Sequence, residues 1–436
     1  MIRRILYHFL TRLLTALLSF AVVWLTAHYL GAAGRGSVSL FVTDCAVVLL
    51  LTGLLGGSSL IYLSPRYSSW QLLVPAYGWA LLVCTTGTAV IGLLRTVPPG
   101  YLLHVWLVTV CQALLSVNTA LLLGRKRETA YNLLTVAQVL LLAGGLLVAF
   151  LSYWERTVAA YYYAAYAAYG LPLLLSLGAL WQLPDRWRTG QPLRLVAREL
   201  AYHSRSAHFS NILTFINYRL SYYFVAHYVD VRALGVLSVG VSLAEALWLI
   251  PRSTALIQYV DLIHAADKQA QLAPTLRTTR LTLLATGVGL VVLCALPGAV
   301  LARVFGPEFG ATRAVLWWLL PGILAVALNI MCSTYFSGLE CYRINNVAAG
   351  LGVAVTLPAC AYLIPRYGIS GAALAMSLSY ATATVYLLRH FLRDTGTRLP
   401  DLLPGPADIA YGRALARKWL LLPSVAATPA ERSDAS

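Results

Sequence analysis

The residues able to do chemistry in this sequence are a few ionisable side chains set inside long apolar runs. Arg12 and Asp44 fall in the first and second runs, Arg219 in the seventh, and Glu245 and Arg252 in the eighth. An ionisable group deep in hydrocarbon is costly, and it normally faces the protein interior or a water-filled cavity. At about 100° per residue, His8, Arg12, Thr15, Ser19 and Thr26 share one stripe of the first run. His208, Asn211, Arg219 and Tyr222 share one stripe of the seventh. Two polar faces turned to a shared interior are the expectation. A guanidinium there suits phosphate, because its planar fork donates bidentate hydrogen bonds and stays charged at any relevant pH. A buried carboxylate suits a proton relay, because desolvation favours its neutral form. Arg12, Arg219, Asn211, His208 and Arg252 are therefore the candidate substrate-binding lining. Asp44 and Glu245 are the candidates for coupling to protons or sodium. A second reading stands beside this one: Arg12 with Asp44 and Arg219 with Glu245 as ion pairs that lock a bundle.

The elements that must position these groups are membrane spans. A helix needs about 20 apolar residues to cross a hydrocarbon core of roughly 30 Å. Such runs recur at 5–29, 37–63, 70–94, 101–123, 131–153, 158–181, 208–229, 235–257, 281–304, 314–336, 345–364 and 369–391. The chain is 59% hydrophobic and 11% charged, against about 25% charged for a soluble domain. Most of its exterior must therefore face lipid, and the expected class is an all-α integral membrane protein. With the N-terminus inside, most Lys and Arg fall in inner loops. Only Arg35, Arg95, Arg156, Arg232, Arg303, Arg313 and Arg366 fall in outer ones. That asymmetry fits the positive-inside rule with both termini cytoplasmic.

The remaining features mostly exclude functions. The net charge of +16 is spread over short loops between spans, which argues against nucleic-acid binding. No G-x-x-x-x-G-K-[ST] loop is present, and no loop is long enough for a folded soluble domain. Gly31, Gly34 and Gly36 read as a tight turn between two spans. Cys45, Cys84, Cys111, Cys294, Cys332, Cys341 and Cys360 form no CxxC pair, and neither a disulfide framework nor a metal site is expected. No cofactor is expected, nor is the chain read as an enzyme. The stretch after Arg3 and Arg4 is too long for a signal h-region and reads as a retained first span. In the tail, Asp408 to Leu422 reads as a basic interfacial helix.

An internal repeat organises the spans. Ala27-His28-Tyr29-Leu30 ends the first span and Ala226-His227-Tyr228-Val229 ends the seventh. At the same offset Gly36 meets Gly235, Ser39 meets Ser238 and Val42 meets Val241. Gly124 with Asn132 echoes Gly338 with Asn346. Two six-span halves follow, with 1–183 and 208–393 as lobes, 184–207 as a cytoplasmic linker and 394–436 as a cytoplasmic tail. Related halves are common in transporters, with the substrate site between them near the midplane. The buried charges sit in the first two spans of each half. Tyr161, Tyr162, Tyr163, Tyr166 and Tyr169 of the sixth span read as an interfacial belt or as rings for stacking sugar. Gly56-Gly57, Pro75, Pro251 and Pro321 are candidate kinks or hinges.

The turn Ala27-His28-Tyr29-Leu30-Gly31-Ala32-Ala33-Gly34-Arg35-Gly36 resembles the "ARYLG-x-x-x-[YR]G" turn of the bacterial polysaccharide flippases. That family lies within the superfamily of multidrug, oligosaccharidyl-lipid and polysaccharide exporters. Leu363 to Leu374 is similar to the family's "lIP-x-yGi-GAA" turn before the last span, and the Gly124–Asn132 and Gly338–Asn346 segments match its inner loops. The likeness covers roughly residues 1–393. It departs from the family pattern at His28, which stands where Arg is frequent, so no role is carried to that position. The resemblance implies an exporter fold of about twelve helices in two pseudo-symmetric lobes, forming a V. It implies a central cationic cavity lined by the first, second, seventh and eighth helices, and alternating access. The implied cargo is a polyprenyl-pyrophosphate-linked oligosaccharide for surface polysaccharide, such as lipopolysaccharide or exopolysaccharide. The implied setting is the bacterial inner membrane, with membrane lipid, polysaccharide polymerase and export machinery as candidate partners.

Two other functions compete. A multidrug or organic-cation exporter of the same fold would need a net acidic cavity, whereas the buried charges here lean toward arginine. An integral-membrane glycosyltransferase or polymerase would display a large outer loop of clustered acids or arginines, and none is present.

Overall fold

Glycine reverses the chain where loops were expected. Helix α1 (Ile2–Thr52) holds the first two spans and turns back at Gly31, with φ 67°. Helix α13 (Tyr342–Thr395) holds the last two and does the same at Gly368, with φ 56°. Both values lie in the left-handed region that glycine enters without steric cost. Residues 2–30 and 32–52 are arms α1a and α1b below. The computed structural model describes residues 2–152, 156–183, 192–264, 268–406 and 408–410, and every element in them is helical. The expected tail helix from Asp408 to Leu422 lies, apart from its first residues, outside the described ones.

Between the two hairpins run α2 (Ser58–Leu63), α3 (Ser69–Leu94), α4 (Tyr101–Gly124), α5 (Glu128–Leu151), α6 (Val158–Trp181) and α7 (Leu193–Tyr228). Then follow α8 (Val231–Leu247), α9 (Leu249–His264), α10 (Lys268–Ala295), α11 (Gly298–Phe305) and α12 (Thr312–Gly338). Among the described residues, nine helical segments are long and apolar enough to cross a membrane. Two of these are the hairpins, each a pair of crossings, and the more polar α7 supplies the seventh crossing. The architecture is thus all-α, with about twelve spans in two lobes.

Local chemistry sets the boundaries. Ser68 and Gln71 form a capping box that starts α3. Asp230 caps α8 by accepting from the Ala233 N–H at 2.6 Å. The second span stops at Thr52, and after a 3-10 turn the chain breaks at Gly56-Gly57. The eighth span, expected over 235–257, breaks at Trp248. Pro251 has no N–H to offer the carbonyl of Leu247, which explains that break. The ninth span, expected over 281–304, is corrected. It ends at Ala295, and Pro297 starts the separate short helix α11. Arg277 and Arg280, expected in a loop, lie within α10. Residues 193–207, expected as linker, are helical and continuous with the seventh span, so α7 runs 36 residues, about 54 Å.

Helices α1, α4, α5 and α6 pack around Phe41, Val105, Leu146 and Phe150. Helices α7, α8, α10, α12 and α13 pack around Leu237, Val315, Leu319 and Met376. The lobes meet mainly where α1 crosses α8, with Ala27 and Ala32 against Val236, Val239, Phe305 and Phe309. At the opposite end the first turns of α7 lie on the N-terminal lobe, with Val196 and Leu200 buried against Leu60, Leu72 and Leu121. Among the described residues, α9, α10 and α12 pack substantially only within the C-terminal lobe. The lobes are therefore closed together at the Gly31 end, and at the other end α7 alone of these C-terminal helices packs on the N-terminal lobe.

Candidate functional site

Helix α1b starts one residue after the Gly31 reversal, so Arg35 is not in a loop as its sequence position suggested. It lies in the second turn of a helix that faces the other lobe, and it is 8% exposed. Its Nε donates to Ser238 Oγ of α8 at 3.1 Å, and its Nη1 donates to Thr26 Oγ1 of α1a at 3.0 Å. Both partners are neutral. Tyr222, Tyr161, Arg219 and Glu245 stand within electrostatic reach. Among the described residues no carboxylate bonds to this buried guanidinium.

Arg219 and Glu245 come together as the sequence allowed. Arg219 Nη2 lies 3.0 Å from Glu245 Oε1, with the side chains 30% and 27% exposed. Arg219 also donates to the Tyr222 hydroxyl at 3.0 Å. The first span of the C-terminal lobe thus turns its polar stripe toward α8 and α1b. Residues from α1a, α1b, α7 and α8 meet in this cluster, which carries more guanidinium than carboxylate.

Among the described residues, the cation that pairs with Asp44 is Arg95. Arg95, from the turn after α3, places Nη2 2.5 Å from Asp44 Oδ2, and the carboxylate is 1% exposed. The Tyr101 hydroxyl donates to the same oxygen at 2.5 Å, and the Tyr223 hydroxyl of α7 donates to Oδ1 at 2.8 Å. Sequence distance hid all three donors, because they come from separate elements. Arg12 lies on α1a, and its side chain is outside the described residues. His208 lines the groove described next. Asn211 is exposed on α7. Arg252 is exposed on α9, with its guanidinium 5.8 Å from the centre of the Trp248 ring.

Asp44 and Arg95 line a groove of 1390 Å³ between α1b, α3 and α7, which runs past them to Ser37, Leu40 and Val231. The groove is polar around the ion pair, where Tyr101, Tyr162 and Tyr223 join it, and aliphatic along Val47, Val48, Leu51, Val83 and Val90 toward the other end. The tyrosines of α6 do not form a simple belt. Tyr163 is exposed, but Tyr161 is buried. Tyr162 packs 4.5 Å from Phe41 and stacks at 4.5 Å on His104, whose Nδ1 lies 2.5 Å from the Tyr166 hydroxyl. One stretch of α6 therefore supplies an aromatic wall inside the N-terminal lobe.

A second carboxylate at the closed end escaped the sequence reading. Glu308, in the 3-10 turn Pro307–Ala311, accepts from the Ala32 N–H at 2.6 Å and from Arg232 Nε at 2.7 Å. The signal that was available is the Gly36–Gly235 match. A Cβ on Gly36 would overlap the Val231 carbonyl, and one on Gly235 would overlap the Ala32 carbonyl. The repeat-matched glycines are where the two backbones touch.

No family model matches the chain, and no curated protein does. Solved structures do match. A lipid II flippase, MurJ, in an inward closed conformation superposes with a TM-score of 0.70 at 13% identity, over 92% of this chain and 89% of that one. An inward-facing multidrug resistance MATE transporter of the MOP superfamily gives 0.66 at 13% identity, over 88% and 95%. The MATE multidrug transporter DinF-BH gives 0.62 at 13%, over 88% and 93%. At these identities the likeness is one of fold: the chain has the two-lobed helical architecture of the MOP-superfamily transporters.

Proposed function

We propose that this chain is a membrane transporter that moves an anionic lipid-linked sugar across the bilayer by alternating access. The cargo class is a polyprenyl-pyrophosphate-linked oligosaccharide for surface polysaccharide. The setting is a bacterial inner membrane with both chain ends cytoplasmic. The observation that carries this reading is Arg35, a buried guanidinium whose bonded partners are two neutral hydroxyls. A buried charge without a counter-ion is strongly unfavourable unless an anion arrives. A pyrophosphate between the lobes would supply that anion, with Arg219 as a second donor once each guanidinium exchanges a present partner for phosphate oxygens. An organic cation would meet repulsion at the same place. The long aliphatic groove and its aromatic end suit the remaining parts of such a cargo, a prenyl chain and sugar rings.

Of the two carboxylates, Glu245 is the better placed for ion coupling. It has one cationic partner and a side chain 27% exposed. Asp44 is enclosed and held by three donors. In this cycle, the coupling ion bound at Glu245, a proton or sodium, frees Arg219 for the pyrophosphate, and release on the far side delivers the glycan to the polymerase and export machinery.

The test is complementation of a host lacking this chain with wild type, Arg35→Ala and Arg35→Lys. Surface glycan, lipid-linked sugar retained on the inner leaflet and drug sensitivity are scored together. Arg35→Ala should cut surface glycan at least tenfold with retained precursor, and Arg35→Lys should restore it in part because charge survives while the fork is lost. Intact glycan in the deletion host, with raised drug sensitivity, would instead assign the chain to drug export.

A further inference from the structure

The closed end of the molecule carries one ion pair in each half, each joining the lobe's second span to the turn before its fourth, with their signs reversed. In the N-terminal lobe, the turn after α3 supplies the cation Arg95 to Asp44 on the lobe's second span. In the C-terminal lobe, the equivalent turn before α12 supplies the anion Glu308 to Arg232 on that lobe's second span. Each pair lies within its own lobe. Each also receives one hydrogen bond from the opposite lobe. Tyr223 of α7 donates to Asp44 Oδ1 at 2.8 Å, and the Ala32 N–H of α1b donates to Glu308 Oε2 at 2.6 Å. Between the two ties, the glycine contact of Gly36 and Gly235 brings the backbones together. The Trp24 Nε1–H donates to the Val304 carbonyl at 2.9 Å beside them.

We infer that Tyr223–Asp44 and Ala32–Glu308 are a crossed pair of latches that holds this face shut, and that opening it breaks those two bonds while both ion pairs stay intact. The physical logic is that the strong interaction stays inside each rigid lobe. Only a single hydrogen bond to an already neutralised carboxylate then has to break for each latch. Rocking one lobe against the other leaves neither carboxylate unpaired, because Asp44 keeps Arg95 and Tyr101 while Glu308 keeps Arg232. The other bonds that cross this face, Arg35 to Ser238 and Trp24 to Val304, end on neutral oxygens. This inference rests on the alternating-access reading but not on the cargo, and its test measures no transport.

The probe is a cysteine at Leu40, a groove-lining position on α1b one turn inside the glycine contact. The full-length protein is reconstituted in vesicles, and a membrane-impermeant maleimide is applied from the latched face. Labelling is read against the chain without Leu40→Cys. Tyr223→Phe removes one hydroxyl and keeps the ring. Glu308→Ala removes the carboxylate that receives Ala32. A hydrogen bond to a charged acceptor translates to roughly a tenfold shift in an open–closed equilibrium, so each variant should label about tenfold faster from that face. The double variant should reach roughly a hundredfold if the ties act independently. Labelling from the opposite face should not rise. Arg232→Ala, which leaves the Ala32–Glu308 bond, should shift labelling far less than Glu308→Ala. Unchanged rates in both Tyr223→Phe and Glu308→Ala would overturn the inference. Equal opening by Arg232→Ala and Glu308→Ala would also overturn it, as would faster labelling from both faces at once.

Discussion

The two lobes descend from one pattern in sequence, yet they treat their buried carboxylates differently. Asp44 in the N-terminal lobe is 1% exposed and holds Arg95, Tyr101 and Tyr223. Glu245 in the C-terminal lobe lies two positions away after the repeat offset, is 27% exposed, and holds one guanidinium. The difference is one of purpose. A carboxylate with three donors is fully satisfied and fixes the elements that carry the donors. A partly exposed pair with one partner has acceptor capacity to spare. On the function proposed above, the N-terminal lobe is the anchor and the C-terminal lobe the working half.

The sharpest way to break that comparison is to neutralise each carboxylate. Asp44→Asn offers one acceptor oxygen to three donors and leaves the Arg95 guanidinium without its counter-ion. A loss of about 3 kcal/mol in stability is expected, near the low end for breaking a buried pair. Glu245→Gln removes a partly solvated pair and should cost about 1 kcal/mol or less. Unfolding midpoints in mixed detergent micelles measure both. Gradient-driven transport in vesicles should rank them differently, with Glu245→Gln losing the gradient response despite its near-native stability. If Glu245→Gln were as destabilising as Asp44→Asn, the division between anchor and working half would fail.

The glycine contact tests the symmetry of the two halves directly. A Cβ at Gly36 overlaps Val231, and a Cβ at Gly235 overlaps Ala32, so each alanine demands the same separation of the backbones. Gly36→Ala and Gly235→Ala should each cost about 1–3 kcal/mol of the closed form, as overpacking does elsewhere, and by similar amounts. Gly144→Ala in α5, where an added Cβ meets open space, should be neutral or stabilising by about 0.5–1 kcal/mol. Thermal melts in one detergent, with and without covalent closure of the latched face, separate loss of the closed form from general instability. Unequal costs for the two glycines would mean that the repeat is not matched at this contact.

Hydropathy made the spans legible because lipid imposes length and apolarity on each crossing. The repeat was legible for a related reason: the same reversal and the same glycine were needed twice. Two things stayed hidden. Arg35 looked like a loop residue because Gly31, Gly34 and Gly36 read as a tight turn spanning it, whereas one left-handed glycine is enough to reverse the helix. Arg95 looked like a solvated outer charge because its partner lies in another span, 51 residues away. Ion pairs between helices follow from tertiary placement, and helical periodicity reports only which face a residue occupies. The polar face of α7 was therefore readable, and Arg219 found the expected Glu245. The partner of Asp44 was not readable. The stretch after α10 misled for a local reason, since Leu296-Pro297 interrupts an apolar run without lowering its hydropathy.

The finest contrast lies in a buried asparagine on each side. In the N-terminal lobe, Asn118 of α4 accepts from the Tyr77 hydroxyl and donates to Ser176 Oγ at 2.7 Å. In the C-terminal lobe, Asn217 of α7 donates to the Ala349 carbonyl at 3.0 Å and accepts from Thr356 at 3.1 Å and Ser379 at 3.2 Å. More partners do not mean a larger loss on truncation. Thr356 and Ser379 each reach the Gly352 carbonyl as well, at 2.9 and 3.0 Å, so Asn217→Ala leaves both hydroxyls satisfied. Asn118→Ala takes from Tyr77 the acceptor that its hydroxyl uses. Polar contacts between membrane helices average about 0.6 kcal/mol. Asn118→Ala should exceed that, at about 1 kcal/mol, and Asn217→Ala should fall at or below it. Yet Asn217 is the side chain that ties α7 to α13, so its truncation should change the transport rate more than the unfolding midpoint. A larger stability loss in Asn217→Ala than in Asn118→Ala would show that the C-terminal node lacks the redundancy its geometry provides, and that the working half is held as tightly as the anchor.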